Sequence, residues 1–295
     1  MIRKIGRSEF ELLKNAQLDS GPLKEAQRGY FSPSSESALT KCGEKFKRRY
    51  VLGEDGGPPS DKMILGTDVH KFVETFCTLF FNNCADQGIH PLEVTTSNRS
   101  DLLPSLEEVL VVGGNDVKEE GSTEQLMQAF DTGRIAVEPT DEAQKIYALW
   151  HKEMSESLYV PLYSEETFYA AVDDIPLLCK VDLVLLDLAT GKQSVVDLKV
   201  GHKKRVISTS TQLHMYSAAT GIESVGYWQM TPPKIRVGAK SNLCIEEIDR
   251  RFMSHVEKKI SAAATVVKHG AYTYADPDDW VCSEKWCGYY KDCRG

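Results

Sequence analysis

The sequence predicts a mixed α/β fold, a central mixed sheet flanked by helices. Three observations carry this expectation: helical periodicity in two stretches of the first half, a run of strands with a tight turn after Tyr163, and a return to alternating helix and strand afterwards. In the first helical stretch, Gly66 to Gln87, apolar residues recur at Val69, Phe72, Val73, Phe76, Leu79, Phe80 and Cys84, which is the spacing of a buried helix face. Asp141 to Leu158 repeats the pattern through Ile146, Leu149, Trp150 and Met154. Strands are expected at Glu166 to Val172, Leu177 to Leu188 and Ser194 to Val200. The short turn Thr190-Gly191-Lys192 makes the last two antiparallel neighbours. Gln212 to Thr220 reads as a helix, Ser224 to Met230 and Leu243 to Ile248 as strands, and Asp249 to Lys268 as a helix capped by Asp249. Gly53 to Ser60 is a loop. Residues 89–125 are polar, acidic and broken by Pro and Gly, and are expected to form a surface insertion.

The 295 residues, 41% of them hydrophobic, suffice for a sizeable core in one large domain. No stretch is apolar enough to span a bilayer, so no membrane partner is expected. The first residues offer no continuous apolar segment of the secretory type. Eight cysteines without a dense, regular framework then read as ligands and core fillers of a cytoplasmic protein. A net charge of -8 excludes a generally sticky nucleic-acid binder. Cations nevertheless gather at Lys41, Lys45, Lys47, Arg48 and Arg49, and again at Lys199, Lys203, Lys204 and Arg205. A local positive groove is compatible with a negative total, because a metal site needs carboxylates.

The chemistry is concentrated in one hairpin. In Val195-Val196-Asp197-Leu198-Lys199 the pleat has a period of two, so Asp197 and Lys199 share a strand face. Asp182, on the partner strand, can bring a second carboxylate beside Asp197. Hard divalent cations such as Mg²⁺ take oxygen ligands of this kind, and the lysine would hold a water or neutralise charge developing on a phosphate. Taken alone, an Asp-x-Lys triplet is equally a structural salt bridge, but charges that end an apolar strand are costly decoration. His70, one helical turn before Glu74, can add an imidazole, and Glu166 a further oxygen. Gln212 and Tyr216, four residues apart, share a helix face.

Cys282, Cys287 and Cys293 form C-x4-C-x5-C in a tail with Trp286, Tyr289 and Tyr290, and Cys42 is available as a fourth ligand. Tetrahedral thiolate sites suit zinc. Cys77 and Cys84 lie on one face of the predicted helix and read as core, as do Cys179 and Cys244 in strands.

The order Gly-x-x-x-His, Glu, Val-Asp at a hairpin, Asp-x-Lys and Gln-x-x-x-Tyr resembles the RecB-like branch of the PD-(D/E)xK nucleases. It is most similar to the CRISPR-associated exonucleases of the fourth Cas family and their phage relatives, over the chain from about Ser32 onward. The resemblance implies a restriction-endonuclease-like core and a Mg²⁺- or Mn²⁺-dependent exonuclease acting on DNA. It places His70, Asp182, Asp197 and the carbonyl of Leu198 around the metal, makes Lys199 the catalytic lysine, and lines the site with Gln212 and Tyr216. It also implies a 4Fe-4S cluster clamped by Cys42, Cys282, Cys287 and Cys293, with zinc as the alternative. The N-terminal segment 1–50 and the tail 276–295 would then be joined at the cluster within one nuclease domain, 1–295. Two departures stand out: Asp197 where many relatives carry Glu, and Cys179 where Gly is usual. The C-x4-C spacing also exceeds the usual two residues. Aromatic residues and a local basic groove suit an unstacked single strand. The other reading is a catalytically silent DNA-end or protein-binding module of a recombination or CRISPR-adaptation complex, alone or as a homo-oligomer, against which the intact His70, Asp182, Asp197 and Lys199 argue.

Overall fold

A six-stranded mixed sheet, ordered β1-β2-β3-β4-β5-β6 in chain sequence, organises the molecule. The computed structural model describes residues 1–119, 141–233 and 240–294, so the last part of the expected insertion, from residue 120, lies outside the described residues. The strands are β1 (Ile2–Lys4), β2 (Tyr159–Val172), β3 (Ile175–Asp187), β4 (Gln193–Val200), β5 (Ser224–Thr231) and β6 (Lys240–Glu247). Every neighbouring pair is antiparallel except β4 with β5, which run parallel. That one parallel pair requires a crossover, and the helix α8 (Thr211–Thr220) supplies it. The other α-helices among the described residues are α1 (Arg7–Asp19), α2 (Pro33–Lys41), α3 (Gly43–Phe46), α4 (Asp61–Asp86), α5 (Arg99–Leu102), α6 (Leu106–Glu119), α7 (Asp141–Glu156), α9 (Arg250–His269) and α10 (Tyr290–Arg294).

Both faces of the sheet are covered. Phe72 and Phe76 of α4 and Ile146 and Trp150 of α7 pack on Leu183, Leu185, Val196, Leu198 and Trp228. Leu213 and Met215 of α8 and Val256 and Ile260 of α9 pack on Val184, Leu186, Val195 and Val225. The alternation along β3 and β4 is the period-two pattern of strands buried on both sides. Aromatic contacts lock the first layer: Phe76 meets Trp150 edge-on at 5.2 Å, and Trp150 meets Trp228 of the sheet at 5.1 Å. At the other end of β2, Val172 pairs with Ile175, which leaves a two-residue turn. Its first residue, Asp173, adopts φ 51°, as tight hairpins demand, and Asp tolerates that conformation better than most residues.

The stretch from residue 89, expected as a surface insertion, is anchored by Val94, Leu102 and Val109, which are buried in the two cores. Buried Arg99 donates to the carbonyls of Met154, Ser155 and Tyr159 at 2.5, 3.0 and 3.0 Å, which ties the segment to the end of α7. A cation there also complements the helix dipole. Cys244, expected in the core, is instead exposed: β6 is the last strand of the sheet among the described residues. Cys77, Cys84 and Cys179 are buried. Among the described residues, no helix is long and apolar enough to cross a membrane.

Candidate active site

The sheet parts at the acids. β3 and β4 pair from Leu186 with Gln193 to Leu183 with Val196, and one step further the register sets Asp182 across from Asp197. There the backbone ladder stops. The N–H of Leu198 donates instead to Oδ2 of Asp182 at 2.7 Å, so a carboxylate replaces the missing carbonyl of β3. Beyond this point β4 continues only with β5, through Asp197 with Tyr227 and Leu198 with Trp228.

Helices on both faces converge on this opening. From α4, Nε2 of His70 lies 3.2 Å from the carbonyl oxygen of Leu198, and its Nδ1 lies 4.0 Å from Asp182 and 3.6 Å from Glu165. On the opposite side, Lys199 holds Oδ2 of Asp197 at 2.5 Å, and Gln212 of α8 donates to its Oδ1 at 2.7 Å. Gln212 also donates to the hydroxyl of Tyr216 at 2.9 Å. Asp197 is fully buried. His70, Asp182, Asp197, Lys199, Gln212 and Tyr216 are thus brought together, with both backbone groups of Leu198 bridging Asp182 and His70.

Glu166 is not among them. Its side chain is exposed, while Glu165 stands in the site, and the reason is one step of register. A bulge between Pro161 and Tyr163 shifts β2 by one residue, after which Ser164 pairs with Leu183 and Glu166 with Val181. Glu165 therefore falls opposite Asp182, and the neighbouring glutamate turns away. Glu165 sits at φ 53°, a left-handed conformation that costs a non-glycine residue about 1 kcal/mol or more. Lys180 steadies it at 2.7 Å. Sequence reading missed it because the two adjacent glutamates are indistinguishable until the bulge is known.

The electrostatics follow from burying several acids together. Burial, then the charge of Asp197, pushes Asp182 up to about 7, against the opposing pull of His70 and Lys199. Burial also raises Asp197, with Lys199 opposing. Burial works against protonation of His70, but its hydrogen bond to Glu165 and the charges of Asp182 and Glu165 outweigh it and raise the imidazole. Burial would raise Glu165 too, but His70 and Lys180 hold it below its ordinary range. Tyr216 is raised well above its usual value by burial, then by the two aspartates. Two buried carboxylates that resist ionisation are the donor set a hard divalent cation relieves. Ligand atoms of His70, Glu165 and Asp182 lie within 4.8 Å of one another, so the residues fit such an ion.

This has a measurable consequence for stability. A carboxyl raised from 3.8 to about 7 on folding contributes stability that is complete below 3.8 and lost as pH rises through 7. Raised His70 acts in the same direction. In chelator, stability should therefore fall between pH 5 and pH 8, and Asp182→Asn should flatten that fall by up to about 3 kcal/mol. Mg²⁺ should restore the wild type at pH 8. Identical pH profiles for the two proteins would remove this account of the site.

The second assembly is the thiols. Cys42, Cys282, Cys287 and Cys293 line one cavity with Tyr274, Tyr289 and Arg294. The tail is drawn in tightly: a Cβ on Gly288 would overlap the carbonyl of Gly56, and the hydroxyl of Tyr289 donates to the carbonyl of Glu54 at 2.8 Å. Cys42 lies at the junction of α2 and α3, where its sulfur accepts from the N–H of Lys45 at 3.5 Å.

The family model of the PD-(D/E)XK nuclease superfamily matches residues 30–294, and the chain belongs to that superfamily. Membership supports a metal-dependent nuclease with DNA as its substrate class, using divalent cations such as Mg²⁺ or Mn²⁺. Among solved structures, the crystal structure of SSO0001 aligns with a TM-score of 0.32 and 10% identity, covering 79% of this chain and 94% of that one. No curated protein matched the chain.

Proposed function

We propose that the protein is a divalent-metal-dependent DNA exonuclease of the RecB-like branch, acting preferentially on single strands. The observation that supports this most is the convergence of Asp182, Asp197, His70 and Lys199 on the Leu198 backbone at the parting of β3 and β4. Asp182, Asp197, His70 and the carbonyl of Leu198 would hold Mg²⁺ or Mn²⁺, with Glu165 as a further oxygen or as the group that orients His70. A divalent cation held there supplies Lewis acidity to the scissile phosphate and acidifies the attacking water. Lys199 neutralises charge that develops on the phosphate, Gln212 keeps Asp197 aimed, and Tyr216, raised well above its ordinary value, stays a neutral hydrogen-bonding wall.

Cys42, Cys282, Cys287 and Cys293 would clamp a 4Fe-4S cluster that joins segment 1–50 to the tail 276–295 in one nuclease unit. Four thiolates lining one cavity are the ligand number such a cluster requires, with zinc as the alternative. We place the protein in the cytoplasm of a bacterium, an archaeon or a phage-infected cell, with recombination or CRISPR components or further copies of the chain as partners.

The direct test is hydrolysis of end-labelled single-stranded DNA with Mg²⁺ or Mn²⁺. Shortening from an end, abolished by chelator and faster than on duplex, is expected; uncut DNA across a range of both metals would end the reading. The register correction makes a narrower prediction. Glu165→Gln should lower kcat/KM or raise the metal requirement by about 10- to 100-fold, whereas Glu166→Gln should stay within about twofold of wild type, as an exposed substitution should. The reverse order would restore Glu166 to the site.

A further inference from the structure

Two of the four tryptophans, Trp150 and Trp228, are sealed in the core, and two stand in the tail. Trp280 is 57% exposed, and its ring meets that of Trp286 edge to face at 5.8 Å, with the planes at 89°. One turn sets both: the carbonyl of Trp280 accepts from Oγ of Ser283 at 2.8 Å, and the N–H of Trp286 donates to the carbonyl of Ser283 at 3.0 Å. Trp286 is held in turn by the ammonium groups of Lys62 and Lys285, 5.2 and 5.6 Å from its ring centre. The pair is fixed before anything binds, so docking on it costs little ordering. A lone exposed apolar residue is ordinary, but a braced pair of rings flanked by two cations is a surface of a different kind.

Lys62 also fixes where the pair lies. It stands in the first turn of α4, the helix whose His70 reaches the carbonyl of Leu198. Lys62, Gly66 and His70 are spaced i, i+4, i+8, so they follow one row of the helix, with about 12 Å of axis between the ends. The middle of that row is open, since a Cβ on Gly66 would meet nothing within 4 Å. A strand can therefore pass close to the backbone of α4 between the acids and the tryptophans. The two charges that touch the pair are both positive, which suits a polyanion that also carries flat rings. Of the neighbouring acids, Asp276 and Asp279 accept from the N–H groups of Asp278 and Val281 at 2.9 and 3.0 Å and shape the turn.

Resting on the nuclease reading above, we propose that Trp280, braced by Trp286, is a stacking platform for one unpaired base of the DNA strand, reached from the reacting centre along the Lys62–Gly66–His70 row of α4. The ring meets the flat face that every base shares, so the contact is indifferent to sequence. A duplex keeps those faces stacked on one another, so the platform favours single strands. It carries no charge, and it adds affinity without adding salt dependence, unlike a lysine that meets a phosphate.

The test is binding of dT20 in chelator across a salt series, followed by anisotropy of a labelled strand and by tryptophan emission with an unlabelled one. Wild-type emission should be quenched as DNA binds, and since Trp150 and Trp228 are buried the change reports on the tail pair. Trp280→Ala should weaken Kd by about 5- to 100-fold, the range for one base–aromatic stack, with an unchanged slope of log K against log salt. Trp280→Phe should recover most of the loss, and Trp280→Leu, apolar but without a π face, should not; this comparison holds even where alanine disturbs the tail. Trp280→Ala within about twofold of wild type, or Phe and Leu variants of equal affinity, overturns the platform. So does a wild type that binds without quenching or fails to bind, and emission that changes with protein concentration alone would overturn it in favour of contact between copies. Wild-type hydrolysis of dT20 in Mn²⁺ is scored separately: cleavage while Trp280→Ala binds as wild type removes the platform alone, and no cleavage removes the nuclease reading beneath it.

Discussion

Asp197→Ala and Lys199→Ala should each lower metal-dependent DNA hydrolysis by about three orders of magnitude, through different failures. Asp197 is fully buried and held from two sides, by Lys199 at 2.5 Å and by Gln212 at 2.7 Å. Alanine there would remove a proposed metal oxygen and leave the amide of Gln212 only the Tyr216 hydroxyl to donate to. Metal affinity and turnover should fall together. Lys199→Ala keeps every proposed metal ligand, so the metal requirement should change little while kcat collapses, because the role proposed for the lysine is on charge that appears only in the transition state. It also strips the nearest cation from a buried carboxylate, which lowers stability in chelator by an amount of the order seen for broken buried pairs, about 3–5 kcal/mol. Added metal should recover much of that loss. Rates measured over a Mg²⁺ titration, beside melting curves, separate the two failures. Activity that survives both substitutions would show that another site, or another protein, does the cutting.

Cys42→Ala is expected to have the largest effect on stability. Cys42 and Cys282 are 240 positions apart, so a group that joins them closes a loop over most of the chain. Closure of that length is worth on the order of 5–6 kcal/mol in the chain-entropy picture, equivalent to roughly 10 °C in a protein of this size. Wild type purified without air should be brown, and the variant should be pale and melt earlier. Because the tail is also held at Gly56 and Glu54, the variant should fold and remain testable. Colourless wild-type protein with stoichiometric zinc, or a variant as stable as wild type, would dismiss the cluster.

The parts of the fold that were legible in the sequence are those whose partners lie close along the chain. The apolar stripe of α4 and the β3–β4 hairpin announce themselves by periods of 3.6 and two. The Asp-x-Lys pair needs only the pleat to share a face, and Gln212 with Tyr216 only a helical turn. β1 escaped notice because its three residues pair with Ala170 to Val172, at the far end of β2, and no local pattern records so distant a partner. Arg99 reads as a surface charge in an acidic stretch until the end of α7 is found beside it. Glu165 was hidden by a bulge at Leu162, three residues away, and Cys244 by the sheet order, which makes β6 the last strand among the described residues. In each case the deciding fact is a long-range arrangement, to which a period along one strand is blind.

The point where β3 and β4 separate also sets how much change this hairpin tolerates. The connecting turn, residues 188–192, lies at the opposite end of the ladder from Asp182 and Asp197. Loop grafts or affinity handles inserted there would leave the candidate site untouched. A single-residue deletion inside either arm would instead swing one aspartate to the far side of the sheet, so drift in length should be confined to the tip.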